Sequence, residues 1–327
     1  MLKVGIAGCG LVAGAPLNDG RPIATNHAAA CDATAGCELV AVADPDASRR
    51  AAFARYWNVE NVHSSVEEML KRHDLDILIV ATPPERHQSV CQQAVAANVR
   101  GILCEKPLTG HAETARAVVE SCRRASIPLA VNFTRRWDTT HQTLAARLAA
   151  GAIGSLRAVF GTYTGTIRGN GSHMIDTVHM LTRQTNWTHD WTSKLAHGND
   201  DGPIAATLSD GDIVFSMTPV TQAEYFIFEL QFVGTRGRAR ALLGGNDVRL
   251  DLPRPSEQYP GYSFLLDEQV LGKDTLPAAF GRALAALASA VRGEQELPVS
   301  GESHIATLER IDSLVRAATT AKERHGS

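Results

Sequence analysis

The chain opens with an apolar run, Val4 to Ala7, that breaks into Gly8-Cys9-Gly10-Leu11-Val12-Ala13. No other feature restricts the fold so tightly. A buried strand that ends on glycines must turn sharply, and residues without a Cβ let backbone N–H groups approach a pyrophosphate closely. Gly8, Cys9, Gly10, Leu11 and Val12 are therefore read as cofactor-binding positions at the head of a doubly wound α/β domain.

Further apolar runs follow at Glu38 to Ala43, Ile77 to Ala81, Gly101 to Cys104 and Pro128 to Asn132. They alternate with helical patterns: Ser65-Val66-Glu67-Glu68 reads as a capping box, and Glu85 to Ala97 and Ala112 to Ala125 as crossover helices. Such alternation predicts a Rossmann-type parallel sheet over residues 1–132. Asp44 closes the second run, where a carboxylate would accept from adenosine ribose hydroxyls and repel a 2'-phosphate. NAD is thus expected, with NADP possible because Arg49 and Arg50 follow. Asp44 also fits a helix cap with Pro45 as the first helical residue. Gly14, Pro16, Gly20 and Pro22 cannot share a regular helix, so a loop is expected at 14–24 and a helix start near Thr25 or Asn26.

Prolines end the third run at Ala81-Thr82-Pro83-Pro84, which places Ala81, Thr82 and Pro83 at the carboxyl edge of the sheet beside the cofactor. His87, just beyond, reads as a cofactor contact or a helix-start histidine. Glu105, Lys106 and Pro107 end the next run; ammonium groups are rarely buried without a partner, and Glu105 is the candidate partner for Lys106.

Beyond Asn132 the texture changes, and residues 133–327 are expected to form a second, substrate-binding and oligomerisation domain. A helix over Thr140 to Ala150 precedes strands at Leu156 to Thr166, Ile213 to Met217, Tyr225 to Val233, Arg238 to Leu243 and Val248 to Leu252. These predict an open, mostly antiparallel sheet, with closing helices at Ala278 to Arg292 and Glu302 to Ala321. Thr182 to Asp212 reads as a loop region. Phe226, Phe228, Leu230 and Phe232 alternate on one face that needs cover, so a homo-oligomer, dimer or tetramer, is expected. In Gly171-Ser172-His173-Met174-Ile175-Asp176 the histidine and carboxylate stand three apart on a helix, hence on one face, with His179 turned away.

A net charge of −3 with scattered Lys and Arg leaves no basic stripe for nucleic acid. No apolar run reaches membrane-spanning length and no leader pattern precedes the first strand, which suggests a cytoplasmic protein. The six cysteines show neither CxxC nor Cys/His metal spacing, so no metal site is expected and the thiols read as small buried filler.

Taken together, the glycine turn, Ala43-Asp44, Ala81-Thr82-Pro83, Glu105-Lys106-Pro107, Asn132-Phe133 with its following arginines, and Gly171-x-His173-x-x-Asp176 resemble the Gfo/Idh/MocA oxidoreductases. The resemblance implies a Rossmann domain followed by an α/β domain with an open sheet, and hydride exchange between NAD(P) and a sugar, polyol or sugar derivative. It also implies that Lys106 and His173 sit at the substrate carbinol and that the Lys106–Pro107 peptide is cis. His173 would then be the acid/base and Lys106 the electrostatic partner, with Asn132, Arg135, Arg168 and Asp176 orienting substrate hydroxyls. One departure stands out. Many members carry an Asp four residues before the histidine, where this chain has Gly169 followed by Asn170. That gap leaves a rival reading open, a dinucleotide-binding sensor without turnover.

Overall fold

In the computed structural model, residues 1–17, 19–23, 25–194, 202–221 and 223–325 are described. The chain folds into two compact units: Met1–Trp137 with Pro277–Ile305, and Asp138–Leu276 with Ala306–Ser327.

The first unit is built on six parallel strands, β1 (Leu2–Ala7), β2 (Cys37–Ala43), β3 (Asn61–His63), β4 (Ile77–Val80), β5 (Gly101–Cys104) and β6 (Leu129–Val131). Their order is β3-β2-β1-β4-β5-β6, the doubly wound arrangement. Val4, Ile6, Ile77 to Val80 and Ile102 to Cys104 are all buried, as expected of strands covered on both faces. Helices α1 (His27–Ala33), α2 (Ala47–Trp57), α3 (Val66–Arg72), α4 (Pro84–Ala96) and α5 (Ala112–Arg124) connect them. Ser65 caps α3 by accepting from the Glu68 N–H at 3.1 Å, as its capping box predicts.

The expected loop after the glycine turn is present. Pro16 and Pro22 form an isolated bridge, and α1 begins at His27 behind the N-cap Asn26; the loop's residues 18 and 24 lie outside the described set. The cap of α2 is Asp46 rather than Asp44, its side chain accepting from Ser48 and Arg49 N–H. A helix from the chain's last third, α8 (Ala279–Arg292), also belongs to this unit. It buries Phe280, Ala283, Leu284 and Leu287, and it comes so near β5 that a side chain at Gly101 would strike Val291 and Leu287. The periodicity of α8 shows an apolar stripe but not the sheet that stripe covers, so the grouping with the first unit is a tertiary fact.

The second unit holds an eight-stranded sheet: β7 (Leu156–Thr164), β8 (Thr188–Lys194), β9 (Ile204–Asp210), β10 (Ile213–Val220), β11 (Phe228–Gly234), β12 (Gly237–Leu242), β13 (Asp247–Pro255) and β14 (Ser263–Lys273). Their order is β14-β13-β12-β11-β7-β10-β9-β8, with β7 and β10 parallel and the other pairs antiparallel. The stretch Thr182 to Asp212, read as loop, therefore contributes two strands around the undescribed residues 195–201. Helices α6 (Thr139–Ala149), α7 (Ser172–Thr182) and α9 (Ile305–His325) complete the helical elements, with α7 so close to β7 that a Cβ at Gly161 would meet Met174. Phe228, Leu230 and Phe232 are buried within the unit, whereas Phe226 lies before β11 and is exposed. The face expected to need a partner is thus covered by its own chain. Among the described residues no helix is long and apolar enough to cross a membrane.

Candidate active site

The carboxyl edge of the parallel sheet gathers the first group of predicted residues. Gly8 has φ +98°, and a Cβ there would collide with the Ala81 carbonyl, so the ends of β1 and β4 can meet only around a glycine. Gly10 differs, since a Cβ there would touch nothing within 4 Å. Its small size answers no need of protein packing and leaves the front of the turn open. Leu11 and Val12 expose their side chains while the turn closes on itself through the Gly14 N–H to the Gly10 carbonyl, 3.1 Å. Cys9 is buried, and burial, with the neighbouring Asp44 charge, pushes its thiol up to about 12. Cys104 is raised too, by burial first. These thiols are neutral filler rather than nucleophiles.

Asp44 anchors the turn. One of its oxygens accepts the Cys9 N–H at 2.8 Å and the other the Asp46 N–H at 2.9 Å. A carboxylate oxygen has two acceptor sites, so each retains one after these bonds. Arg50 donates to the Asp44 carbonyl at 2.6 Å, and Arg49 stands 3.9 Å from its carboxylate with an exposed side chain.

Ala81, Thr82 and Pro83 follow β4 as expected, with the Thr82 hydroxyl buried and without a protein hydrogen-bond partner. His87 has both ring nitrogens facing main-chain oxygens, Nδ1 2.9 Å from the Pro107 carbonyl and Nε2 2.8 Å from that of Thr82. Of its two sequence readings, the geometry matches the structural one: the ring braces two strand-end loops.

Glu105 is the hub of this edge. Its Oε1 lies 2.9 Å from His27 Nε2 and accepts from Asn132 Nδ2 at 2.7 Å, while Oε2 accepts the Lys106 N–H at 3.2 Å. Burial alone would push this carboxyl upward, but the His27 and Asn132 donors and the Lys106 N–H outweigh that and hold it below the usual range. The Lys106–Pro107 peptide is cis, and Lys106 is partly exposed. Asn132, expected to orient substrate, is 1% exposed and spends its amide N–H on Glu105, leaving its Oδ1 without a protein hydrogen-bond partner. Arg135 is buried in the short helical turn Thr134–Trp137.

The second group lies on and before α7. A π-helical turn, Ile167–Gly171, precedes that helix, with the Gly171 N–H reaching the Thr166 carbonyl at 3.1 Å. Arg168, on this turn, pairs with Asp312 of α9 at 2.9 Å. His173 is partly exposed and its carbonyl accepts from Thr177. Asp176 is buried and accepts from Thr307 of α9 at 3.3 Å, and the same hydroxyl is 3.2 Å from His179 Nδ1. Helix geometry places Asp176 on the His173 face, yet its bond to Thr307 turns it toward a third residue shared with His179. Sequence reasoning missed His27, Thr307 and Asp312. Only His27 carried a signal, as the first residue of the delayed helix after a capping asparagine.

Residues 2–133 match the family model described as an oxidoreductase family with an NAD-binding Rossmann fold. That match covers less than half of the chain and lies within its first, parallel-sheet part. Among curated relatives the chain is 28% identical over 254 residues to a D-apiose dehydrogenase of Paraburkholderia graminis, covering 69% of this chain and 66% of that protein. It is 30% identical over 131 residues to an inositol 2-dehydrogenase of Corynebacterium glutamicum, 40% of this chain and 39% of that one. The matched segments therefore span under two thirds of these relatives' lengths. A solved 3-ketoreductase from Actinomadura kijaniata in complex with NADP superimposes with a TM-score of 0.79 at 19% identity, covering 97% of each chain. At that identity the likeness concerns the fold alone.

Proposed function

We propose that this chain is an NAD(P)-dependent oxidoreductase that transfers hydride between nicotinamide and a secondary alcohol or carbonyl of a sugar, polyol or sugar derivative. The observation that carries the reading is the carboxyl edge of the first unit. There the open space before Gly10 and the unpartnered Thr82 hydroxyl fit a dinucleotide along the strand ends. Asp44, with an acceptor site left on each oxygen, favours a ribose with free hydroxyls, so NAD is preferred over NADP. The dehydrogenases and reductases among the relatives support the substrate class.

A bound nicotinamide supplies hydride acceptance or donation. His173 takes the hydroxyl proton in oxidation and returns it in reduction. Lys106 donates a hydrogen bond to the same oxygen as its negative charge develops. Arg135, Arg168, Asn132 and Asp176 orient the other hydroxyls, Arg168 and Asp176 from positions fixed by Asp312 and Thr307. The six free thiols suit a reducing compartment, and we place the enzyme in the cytoplasm. Self-association uses the outer face of the second unit's sheet.

Fluorescence titration with NADH and NADPH, followed by turnover on a panel of sugars, polyols and sugar derivatives, tests the reading. NADH binding at least tenfold tighter than NADPH is the expected result, an energy of about 1.4 kcal/mol. A protein that binds neither nucleotide is not this enzyme, and one that binds NADH but turns over nothing on the panel is a sensor.

A further inference from the structure

The link between the glycine turn and the Lys106 loop runs through one side chain that the reaction itself does not require. His27 is fully buried. Its backbone N–H donates to the Val12 carbonyl at 3.0 Å, and the next residue repeats the grip, Ala28 N–H to Ala13 carbonyl at 3.0 Å. A long segment intervenes between the turn and α1, so these bonds restore a contact that chain continuity does not provide. From the same residue the ring reaches the far side of the groove, with Nε2 2.9 Å from Glu105 Oε1. A carboxylate can only accept, so in this bond His27 Nε2 is the donor. The other ring nitrogen, Nδ1, is buried with no hydrogen-bond partner, and the ring lies 4.7 Å from Phe280 of α8. Its placement therefore serves a single donor function.

We propose that His27 is a positioning residue: its backbone holds the glycine turn while its Nε2–H fixes the Glu105 carboxylate, which in turn fixes the Lys106 N–H. Two further contacts define the device. Asn132 supplies the second donor to Glu105 Oε1 at 2.7 Å, and Glu105 Oε2 takes the Lys106 N–H at 3.2 Å. With His27 in place Oε1 has two donors, the imidazole and the Asn132 amide, opposite the Lys106 N–H on Oε2. Without it Oε1 keeps only the Asn132 amide, and the acceptor of the Lys106 N–H is held by one donor fewer. The consequence for nucleotide binding rests on the function proposed above; the His27–Glu105 link does not.

The test uses His27→Phe, which keeps a ring against Phe280 but removes the donor, and His27→Gln, whose amide N–H extends to about the same reach. Each is made in the wild-type protein and beside Glu105→Leu, which removes the acceptor. Ligand-free melting reads the link. His27→Phe should lower the midpoint by about 5 °C, as loss of a hydrogen bond to a charged group would, and should have almost no further effect beside Glu105→Leu. NADH titration reads the consequence: His27→Phe should weaken binding by about 10-fold or more, while His27→Gln stays within roughly threefold of wild type. An equal melting loss with and without Glu105, or a His27→Gln protein as weak as His27→Phe, would mean that the ring acts by packing alone and would overturn the proposal. So would unchanged NADH affinity in His27→Phe. If the wild-type protein itself ignores NADH, the proposed function fails while the melting cycle still decides the link.

Discussion

At the scale of single residues, exposure separates the groups proposed to hold a nucleotide from those proposed to act on a substrate. Asp44 is buried and Glu105 half-buried at strand ends; backbone N–H groups hold the first, and the Lys106 N–H, the Asn132 amide and His27 hold the second. Side chains held this way keep one orientation, which suits binding. Lys106 and His173 remain partly exposed, as groups that must meet a substrate do. General acid/base catalysis is worth about 100- to 10,000-fold, so His173→Ala and Lys106→Ala should each lower kcat by about that factor. NADH affinity should stay close to wild type in His173→Ala, because the turn and Asp44 are untouched. Near-normal turnover in His173→Ala on an identified substrate would move the acid/base role to another residue. These two positions were singled out in the sequence because Lys106 follows Glu105 at a strand end and His173 stands three residues before a carboxylate on one helix. His27 was not, since its partner lies 78 positions away and no local spacing points to Glu105.

At the scale of elements, capping is where local sequence and tertiary burial meet. Asp138 opens α6 by accepting the His141 N–H at 3.0 Å and its ring Nδ1 at 2.7 Å, and both side chains are fully buried. Burial pushes the Asp138 carboxyl upward, but the hydrogen bonds from His141 and Thr275 prevail and hold it below its ordinary 3.8. A depressed folded-state value stabilises the protein fully above the unfolded pKa and is lost as pH falls through the folded one. The Asp138 contribution should therefore be constant from neutrality down to about pH 4 and disappear below it. Asp138→Ala should cost about 2 kcal/mol at pH 7, read by denaturant melting, and the deficit should shrink below pH 4. The π-helical turn before α7 illustrates the opposite case. Its wide turn sets the phase of His173, Asp176 and His179, yet Arg168-Gly169-Asn170 carries no periodic signature that distinguishes a π turn from a loop. Strands β8, β9 and β14 were missed for a related reason. β14 is exposed along nearly its whole length and is joined to β13 by charged pairs such as Arg249–Glu268 at 2.7 Å, so it lacks the alternation that marks a half-buried strand.

For the whole molecule, the outer face of the eight-stranded sheet sets the expectation for assembly. Phe160 on β7 is 48% exposed, and Val214 on β10 and Trp191 on β8 are exposed as well. In the sheet register Phe160 stands opposite Ser216 and Gln231, at the centre of the sheet. A central exposed phenylalanine on a broad sheet face is a natural anchor for a second copy. Phe160→Glu should leave the melting temperature nearly unchanged and convert an oligomer to a monomer by light scattering at micromolar concentration; a wild-type protein already monomeric there would refute self-association by this face. What the sequence determined by itself was whatever depends on nearest neighbours along the chain: the glycine turn after the first strand, the alternation of buried runs and amphipathic helices, the capping box at Ser65, the delayed start of α1. These follow from backbone sterics and hydrophobic periodicity, which act over a few residues. Tertiary structure alone decided that α8 returns to cover β5, that Phe228, Leu230 and Phe232 are buried by their own unit, that Asp176 turns to Thr307, and that His27 closes on Glu105. Each of those depends on which of many chemically equivalent partners packing brings within reach, and that choice is made by the whole core at once rather than by any local pattern.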